Sequence, residues 1–376
     1  MAMTINTNVV SINAQRNLSL SGSQLGTAMQ RLSSGLRVNS AKDDAAGLAI
    51  AERMNAQSRG LTVAARNAND GISLAQTAEG ALGKVGDMLQ RMRELAVQSS
   101  NATNSDTDRA ALQAEVSQLI SEVDRVAKTS SFNGQKLLEG SFAGAVFQIG
   151  AGAGDNITVG SLVDATAANL SAVTYATATL ASSTTGTAGT DAFTLTVGAA
   201  TIDIPAATNP KERLGQIIAA INSKTADTGV TAFMNDTGDG IDLRNELKDG
   251  ANTAISGGGL AAAATYTTQT GEKGVSGLTV VTQQDAWLAL KKVDSAIDQI
   301  NSSRADLGAL QTRFEKSIEN IDIMNENISA ARGRIVDADF AAETASLSRT
   351  QILQQAGTAM VAQANQLSQG VLSLLQ

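Results

Sequence analysis

Apolar residues recur every seven positions over a long stretch near the C-terminus. The stretch Asp285–Ile335 carries them at Val293, Ile300, Leu307, Phe314, Ile321, Ile328 and Ile335. The positions three residues earlier include both apolar and polar side chains, so one seam is apolar and the other is mixed. This pattern predicts a long helix packed along partner helices, with these seven residues as its core. Such a helix would be about 76 Å long, against about 55 Å for a compact globule of this chain length, which indicates an elongated molecule.

The N-terminal half supplies partners for that helix. Apolar residues keep a spacing of three or four from Leu61 to Ala96, and a second series runs from Leu112 to Val126. The polar segment Asn101–Asp108 between them is typical of a loop followed by a helix start. The sequence therefore predicts a bundle of two N-terminal helices and one C-terminal helix.

Both ends of the chain are almost free of charge. Arg16 is the single charged residue among the first thirty, and the segment Thr350–Gln376 has none. The C-terminal segment nevertheless has an apolar stripe at helical spacing, formed by Leu353, Ala356, Met360, Ala364, Leu367, Val371 and Leu374. A helix that faces solvent normally carries Lys and Glu. We therefore expect the two ends to pack against each other and against copies of the same chain, the alternative being a polar hairpin docked on its own bundle.

The middle of the chain has a different composition. The segments Ala165–Thr190 and Ala251–Gly271 are rich in Ser, Thr, Ala and Gly, which predicts exposed linkers or irregular surface strands. Between them we predict two hairpins, over residues 193–204 and 230–243, and a helix capped by Asn209 with Pro210 at its first position. A further glycine-rich hairpin is expected near residues 142–160. The predicted fold class is mostly α, with a central α+β, β-rich part inserted between helical ends.

Composition removes most enzyme classes. The 376 residues include no Cys and no His, which excludes disulfides, thiol nucleophiles, Cys/His zinc sites and Ser–His–Asp triads. A net charge of −8 argues against a nucleic-acid partner, and no apolar run is long enough for membrane insertion. The N-terminus lacks the pattern of a secretory signal peptide. We expect no enzymatic activity and no cofactor.

Three motifs with possible chemistry have simpler structural interpretations. Asp236, Asp239 and Asp242 lack the spacing of a calcium loop and are better explained by a hairpin turn. The glycines of residues 150–156 are not followed by an amphipathic helix, which argues against a phosphate site. Asp43 and Asp44 follow Ser40, a pattern that predicts a helix N-terminus with acidic first-turn residues.

Long motifs at both ends resemble one protein family. RLSSGLRVNSAKDDAAGLAIAERM (Arg31–Met54), LQRMRELAVQSSN (Leu89–Asn101) and FNGQKLL (Phe132–Leu138) resemble the N-terminal signature of bacterial flagellin. The segment Ser348–Gln376, SRTQILQQAGTAMVAQANQLSQGVLSLLQ, resembles its C-terminal signature. The central unit is similar to a small insertion motif found in flagellins and hook-associated proteins.

This resemblance implies three domains. Residues 1–45 with 336–376 would form an inner, terminal coiled-coil domain, residues 46–168 with 280–335 a helical rod, and residues 169–279 a variable outer domain. The implied function is that of a structural subunit which polymerises into the flagellar filament and transmits motor torque. It would be exported unfolded through the flagellar type III channel to an extracellular location. The implied partners are copies of itself, hook-associated junction and cap proteins, and an export chaperone.

The resemblance also implies surfaces read by host sensors. For the flagellin-sensing Toll-like receptor the matching residues are Gln90, Arg91, Glu94, Leu95 and Glu115. The inner-tube assembly region, which cytosolic inflammasome sensors also read, comprises Leu353, Met360, Leu367, Val371, Leu372, Leu374 and Leu375. The alternative function is a hook–filament junction protein. A flagellin carrying a zinc peptidase is excluded, because the chain has no His.

Overall fold

The computed structural model describes residues 7–180, 191–198, 200–235, 240–246, 255–256 and 267–373. The chain divides into two compact units. The first unit comprises Met1–Asn69, Phe147–Ile157 and Phe314–Gln376, and the second comprises Asp70–Val146 and Thr158–Arg313. These borders differ from those of the three expected domains, whose boundaries stay a prediction. Among the described helices, none is both long and apolar enough to cross a bilayer.

The first unit contains the two terminal helices. Helix α1 (Val9–Ser34) packs along the final helix, α7 (Phe340–Ser373). At one end the Asn8 side-chain amide donates to the carbonyl oxygen of Ala364 at 2.9 Å. At the other end Arg31 lies 3.9 Å from Glu343. The two helices therefore run antiparallel, and the expectation that the chain ends pack against each other is confirmed.

After α1, residues 35–37 pair through backbone hydrogen bonds with residues 336–338, which precede α7. We call this pairing the clasp. Gly35 ends the helix with φ of 70°, a left-handed conformation that glycine adopts without strain, and its N–H donates to Arg31. Leu36 then pairs antiparallel with Asp337. The N–H of Arg37 donates to the carbonyl oxygen of Val336 at 2.7 Å. The segments that follow α1 and precede α7 are thus hydrogen-bonded to each other.

Two helices of more than fifty residues have residues assigned to each of the two units. These are α2 (Ala45–Ser99) and α6 (Gln283–Val336), and α6 agrees with the helix predicted over residues 285–335. The predicted start of α2 needs a correction. Asp44 occupies the capping position, since its carboxylate accepts from the N–H of Gly47 at 2.8 Å. Asp43 lies before the helix, where the N–H groups of Asn39 and Ser40 and the Ser40 hydroxyl bind its carboxylate and lower its pKa.

In the first unit, the core of the helical part is small. Leu61 and Ala64 of α2 pack with Ile321 of α6, and Ile328 packs against this cluster while only partly buried. Phe314 is fully buried and meets Phe147 edge-on, with ring centroids 5.6 Å apart. Ile328 and Ile335 are only partly buried, which is less than the seven-residue pattern predicts.

In the second unit, α2 packs with α6 and with α3 (Asp106–Thr129). Arg93 pairs with Asp294 at 2.6 Å, and the Gln311 side chain donates to Glu79 at 2.8 Å, so α2 and α6 are antiparallel here. Val293, Ile300 and Leu307 are buried, together with residues of the other two helices: Leu82, Val85, Leu89, Met92, Leu95, Val116 and Val123.

Helix α3 begins with a complete capping box. The Ser105 hydroxyl accepts from the N–H of Asp108, and the Asp108 carboxylate accepts from the Ser105 N–H at 3.0 Å. The Ser105 hydroxyl also donates to this carboxylate, and these bonds lower the pKa of Asp108. The turn predicted at residues 101–108 is therefore confirmed with its mechanism.

Two small hairpins follow α3. Strands β1 (Ser131–Phe132) and β2 (Gln135–Lys136) flank a turn in which Asn133 and Gly134 both have positive φ. Strands β3 (Ala145–Gln148) and β4 (Asn156–Val159) form the glycine-rich hairpin expected near residues 142–160.

The β-rich middle belongs to the second unit and forms two antiparallel sheets. Its strands are β5 (Ala172–Leu180), β6 (Phe193–Val197), β7 (Ala200–Ile204), β8 (Val230–Met234), β9 (Ile241–Glu246), β10 (Ile255–Ser256) and β11 (Thr267–Lys273). One sheet has the order β11-β5-β9-β8 and the other β10-β6-β7. Helix α4 (Pro210–Asn222) packs on β8, and a short α5 (Thr225–Thr228) follows it. Both predicted hairpins and the Asn209 cap are confirmed.

The prediction of exposed linkers or irregular surface strands over residues 165–190 is wrong for residues 165–180, and residues 181–190 lie outside the described residues. Strand β5 is regular and lies inside the four-stranded sheet, paired on both sides. Ala165 and Leu170 just before it are fully buried, as is Ala176 within it. Small Ala and Thr side chains resemble linker composition, but they also fit an interior strand, where both neighbours supply backbone hydrogen bonds.

Candidate functional site

An apolar groove runs between the two terminal helices. Its volume is about 550 Å³, and its apolar wall includes Val9, Val10, Leu18, Leu353, Gly357 and Met360. We call it the terminal groove. Val9, Leu353 and Met360 are exposed by 65%, 47% and 62%. The terminal groove is therefore open, and its apolar side chains are in contact with solvent in the single chain.

The helix sequences explain why the groove forms. A Cβ atom at Gly357 would lie 3.1 Å from Cδ1 of Leu18, so glycine permits close approach of α7 to α1 at this point. On either side of this close contact, most of the side chains that line the groove are aliphatic or small. The spacing of Val10, Ala14, Leu18 and Ser21 on α1 is helical, and this pattern could have revealed the α1 wall, which the sequence analysis did not assign.

More apolar side chains are exposed on the same two helices. They are Ile12, Leu20, Met29, Phe340 and Ile352, with exposed fractions between 51% and 65%. The charged residues of α1 and α7 are only Arg16, Arg31, Glu343 and Arg349. An apolar, nearly uncharged surface of this extent is typical of a protein interaction site.

The predicted C-terminal residues are described to different extents. Leu353 and Met360 line the terminal groove. Leu367, Val371 and Leu372 belong to the last turns of α7. Leu374 and Leu375 lie outside the described residues.

A second candidate surface consists of charged residues on α2 and α3. The Arg91 guanidinium donates from Nε to Glu115 and from Nη1 to Glu94, both at 2.8 Å. These bonds, the Glu115 bond first, raise the pKa of Arg91 above its ordinary value. Gln90 is exposed beside them. The structure thus brings Arg91, Glu94 and Glu115 together in an exposed cluster.

Leu95 does not belong to this exposed cluster. Its side chain is only 1% exposed and lies in the interior of the helical bundle. Leu95 is therefore not accessible in the single chain, although it lies only about one helical turn after Arg91, and its part in a receptor-recognition surface stays a prediction. The exposed pair of Arg93 with Asp294 is a neighbouring charged contact that the sequence analysis missed.

Of the acidic motif in the second hairpin of the middle part, the structure describes Asp242. Asp242 accepts from the Thr179 hydroxyl and from the Gln284 amide, each at 2.8 Å. Asp236 and Asp239 lie outside the described residues. Within the ranges that are described, no three acidic side chains are grouped so that they could hold a metal ion.

Comparison with known families gives three matches along the chain. The family described as bacterial flagellin N-terminal helical region matches residues 5–143, and the bacterial flagellin C-terminal helical region matches residues 290–375. The flagellin hook IN motif matches residues 192–246, which lie within the β-rich middle.

Relatives match over the full chain. B-type flagellin of Pseudomonas aeruginosa is 38% identical and polar flagellin C of Vibrio parahaemolyticus is 41% identical. Each alignment covers 100% of this chain and 100% of the relative. Among solved structures, FliC from Burkholderia pseudomallei is 26% identical, with a TM-score of 0.40 over 65% of this chain and 99% of that one.

Proposed function

The chain belongs to the bacterial flagellin family, and on that basis we propose that it polymerises with copies of itself into the flagellar filament. The observation that carries the proposal is the terminal groove, an open apolar surface on two nearly uncharged helices. A second copy of the chain is the occupant that fits it, because the exposed faces of α1 and α7 are themselves apolar and uncharged.

The energetics favour burial of this surface in an assembly. Each apolar Å² removed from water contributes about 25 cal/mol, so leaving the side chains of Val9, Ile352 and Met360 exposed is unfavourable in the free chain. The contacts between α1 and α7 include one ion pair, Arg31 with Glu343, near one end. We expect the terminal helices to be marginally stable in the monomer and to gain order on assembly, which is coupled folding and binding.

The finer parts of the proposal follow from family membership. The subunit is exported unfolded through the flagellar type III channel with the help of an export chaperone, and it functions outside the cell. There the filament transmits motor torque for swimming. Hook-associated junction and cap proteins contact the first and last subunits.

Electron microscopy of the purified chain tests this function. Monomers are observed before and after addition of ammonium sulfate, with and without short filament seeds. Long filaments of uniform diameter, formed from this protein alone, are expected. Monomers that cap seeds without elongating them would instead indicate a hook–filament junction protein.

A pair of variants tests the terminal groove itself. Leu353→Asp introduces a charge into the groove wall and is expected to abolish elongation, since burial of an unpaired carboxylate is costly. Met234→Asp is the control, because Met234 is similarly exposed, at 49%, but lies in the β-rich middle. Normal elongation of Leu353→Asp would remove the terminal groove from the assembly interface.

We propose further that the exposed cluster of Arg91, Glu94 and Glu115 is recognised by a host Toll-like receptor if the source bacterium is host-associated. A receptor reporter assay compares Arg91→Ala with Arg125→Ala. Arg125 is a matched control, because it forms a similar exposed pair with Glu122 on α3. Equal signalling by the two variants would contradict the proposal. Recognition of residues 353–375 by inflammasome sensors stays a prediction.

A further inference from the structure

Met360 is the one methionine that lines the terminal groove, as far as the described residues extend. We propose that its thioether is a site of reversible oxidation by peroxides, and that the sulfoxide blocks polymerisation until it is reduced. This inference rests on the proposed function, because it takes the terminal groove as the place where a second copy seats.

The chemistry needs only access to the sulfur. The sulfur of Met360 attacks one oxygen of hydrogen peroxide, a sulfur–oxygen bond forms, and the oxygen–oxygen bond breaks. The proton of the transferred hydroxyl passes to the leaving oxygen, which departs as water. Sulfur loses two electrons and the peroxide gains them. A thiol-dependent sulfoxide reductase reverses the step, with loss of the oxygen as water.

The methionines differ in how much of their side chain is exposed to solvent, and so in how readily peroxide reaches the sulfur. Met360 is 62% exposed, whereas Met92 in the bundle core is fully buried. Met29, Met234 and Met324 are also accessible, at 57%, 49% and 43%. Oxidation at these three places a polar group outside the terminal groove. Met29 shares the exposed apolar surface of α1 and α7, and the variant Met360→Leu, which keeps Met29, tests its contribution. Among the methionines within the described residues, Met360 is the one whose new oxygen enters the groove wall.

The groove wall makes oxidation at this position consequential. Val9, Val10 and Leu353 share the wall with Met360. A thioether is flexible and apolar, and it adapts to a partner surface. A sulfoxide adds a strong dipole and the volume of one oxygen, and burying it without a hydrogen-bond donor opposes docking of the next copy. We expect the critical concentration for polymerisation to rise about tenfold or more.

The experiment uses the full-length protein and hydrogen peroxide. Monomers are oxidised, the peroxide is removed, and the sites are mapped by peptide mass spectrometry before seeded polymerisation is measured by sedimentation. Wild type is compared with Met360→Leu and with a triple variant, Met29→Leu, Met234→Leu and Met324→Leu. Leucine keeps the volume and apolar character at each site but cannot be oxidised to a sulfoxide.

Each oxidised protein is compared with its own untreated sample. Oxidation is expected to abolish polymerisation of wild type and of the triple variant, and to leave that of Met360→Leu at the level of untreated Met360→Leu. Treatment with a methionine sulfoxide reductase should restore the first two. Met360 in preformed filaments should also oxidise more slowly than in monomers, whereas Met234 should keep its rate.

Two results would overturn the inference. One is equal loss for oxidised Met360→Leu and oxidised wild type, and the other is unchanged polymerisation of oxidised wild type. If untreated Met360→Leu fails to polymerise, the inference is tested on the triple variant. Loss of its polymerisation on oxidation and recovery after reductase treatment would support the inference, and unchanged polymerisation would refute it. Failure of untreated wild type to polymerise is a separate outcome, which would refute the proposed function.

Discussion

The guanidinium of Arg37 donates a hydrogen bond of 2.6 Å to the carbonyl oxygen of Ile335, a residue almost three hundred positions away in the sequence. Ile335 lies in the last turn of α6, where carbonyl groups have no partner within the helix. The side chain of Arg37 therefore caps α6, while its own N–H pairs with Val336 in the clasp. One residue thus joins the segment after α1 to the end of α6.

Replacing Arg37 by Ala is expected to loosen this clasp. The cap hydrogen bond contributes about 1 kcal/mol, so global unfolding should change little. Hydrogen exchange of the amides of Arg37 and Ala338 should accelerate. Arg53→Ala is the control, because it removes a solvent-exposed Arg that lies within α2 and outside the clasp. Unchanged exchange in the clasp would show that backbone pairing alone holds it.

Removing the aromatic ring of Phe314 should destabilise the first unit. Phe314 is fully buried and stacks edge-on against Phe147, so Phe314→Ala leaves a cavity and is expected to cost about 3–5 kcal/mol. The control is Ile323→Ala on the same helix, where the side chain is 58% exposed. Urea unfolding followed by circular dichroism measures both. A loss no larger than that of Ile323→Ala would contradict the packing described.

The capping box of α3 makes part of the stability depend on pH. The Ser105 hydroxyl, and then its N–H, hold the pKa of Asp108 below its ordinary value of 3.8. A carboxyl whose pKa is lowered by folding stabilises the folded state fully above its unfolded pKa, and this contribution disappears as pH falls through the folded pKa. The stability difference between wild type and Asp108→Ala should therefore be constant at neutral pH and vanish in acid.

Thermal unfolding between pH 7 and pH 2 measures this difference. Asp106→Ala is the control for the general effect of a negative charge near the start of α3, because Asp106 is also in the first turn but is not part of the capping box. If the stability difference between wild type and Asp108→Ala were as large at pH 2 as at pH 7, the ionised carboxylate of Asp108 would not be what stabilises the start of α3.

Destabilising the core of the β-rich middle should leave polymerisation intact. Ile217 of α4 is fully buried in a cluster with Leu195 and Leu243, so Ile217→Ala is expected to destabilise the surrounding sheets by about 2–4 kcal/mol. Hydrogen exchange should increase over β6 to β9 and stay constant in α1 and α7, and filaments should still form. Ile218→Ala, at a partly buried position, should have a smaller effect. Loss of filament formation with Ile217→Ala would assign the middle part a role in assembly.

Local rules were sufficient where the signal repeats along one element. The seven-residue spacing from Val293 to Ile335 predicted α6 to within two residues at each end, because a helix shows its buried face as a period. The Asn209–Pro210 pair predicted the start of α4, since capping depends on neighbours within one turn. The uncharged ends predicted the pairing of α1 with α7.

Tertiary structure decided the features that depend on residues far apart in the chain. Strand β5 could not be recognised from its Ala and Thr residues, because its neighbours β9 and β11 supply the hydrogen bonds that make it an interior strand. Leu95 and Arg91 lie one helical turn apart, yet only the packed bundle distinguishes the buried side chain from the exposed one. The terminal groove likewise lies between α1 and α7, which approach each other closely where Gly357 meets Leu18, a contact between the two ends of the chain. The sequence by itself determined the long helices, the cap of α4 and the family, whereas the packing of distant segments determined which side chains remain available for binding.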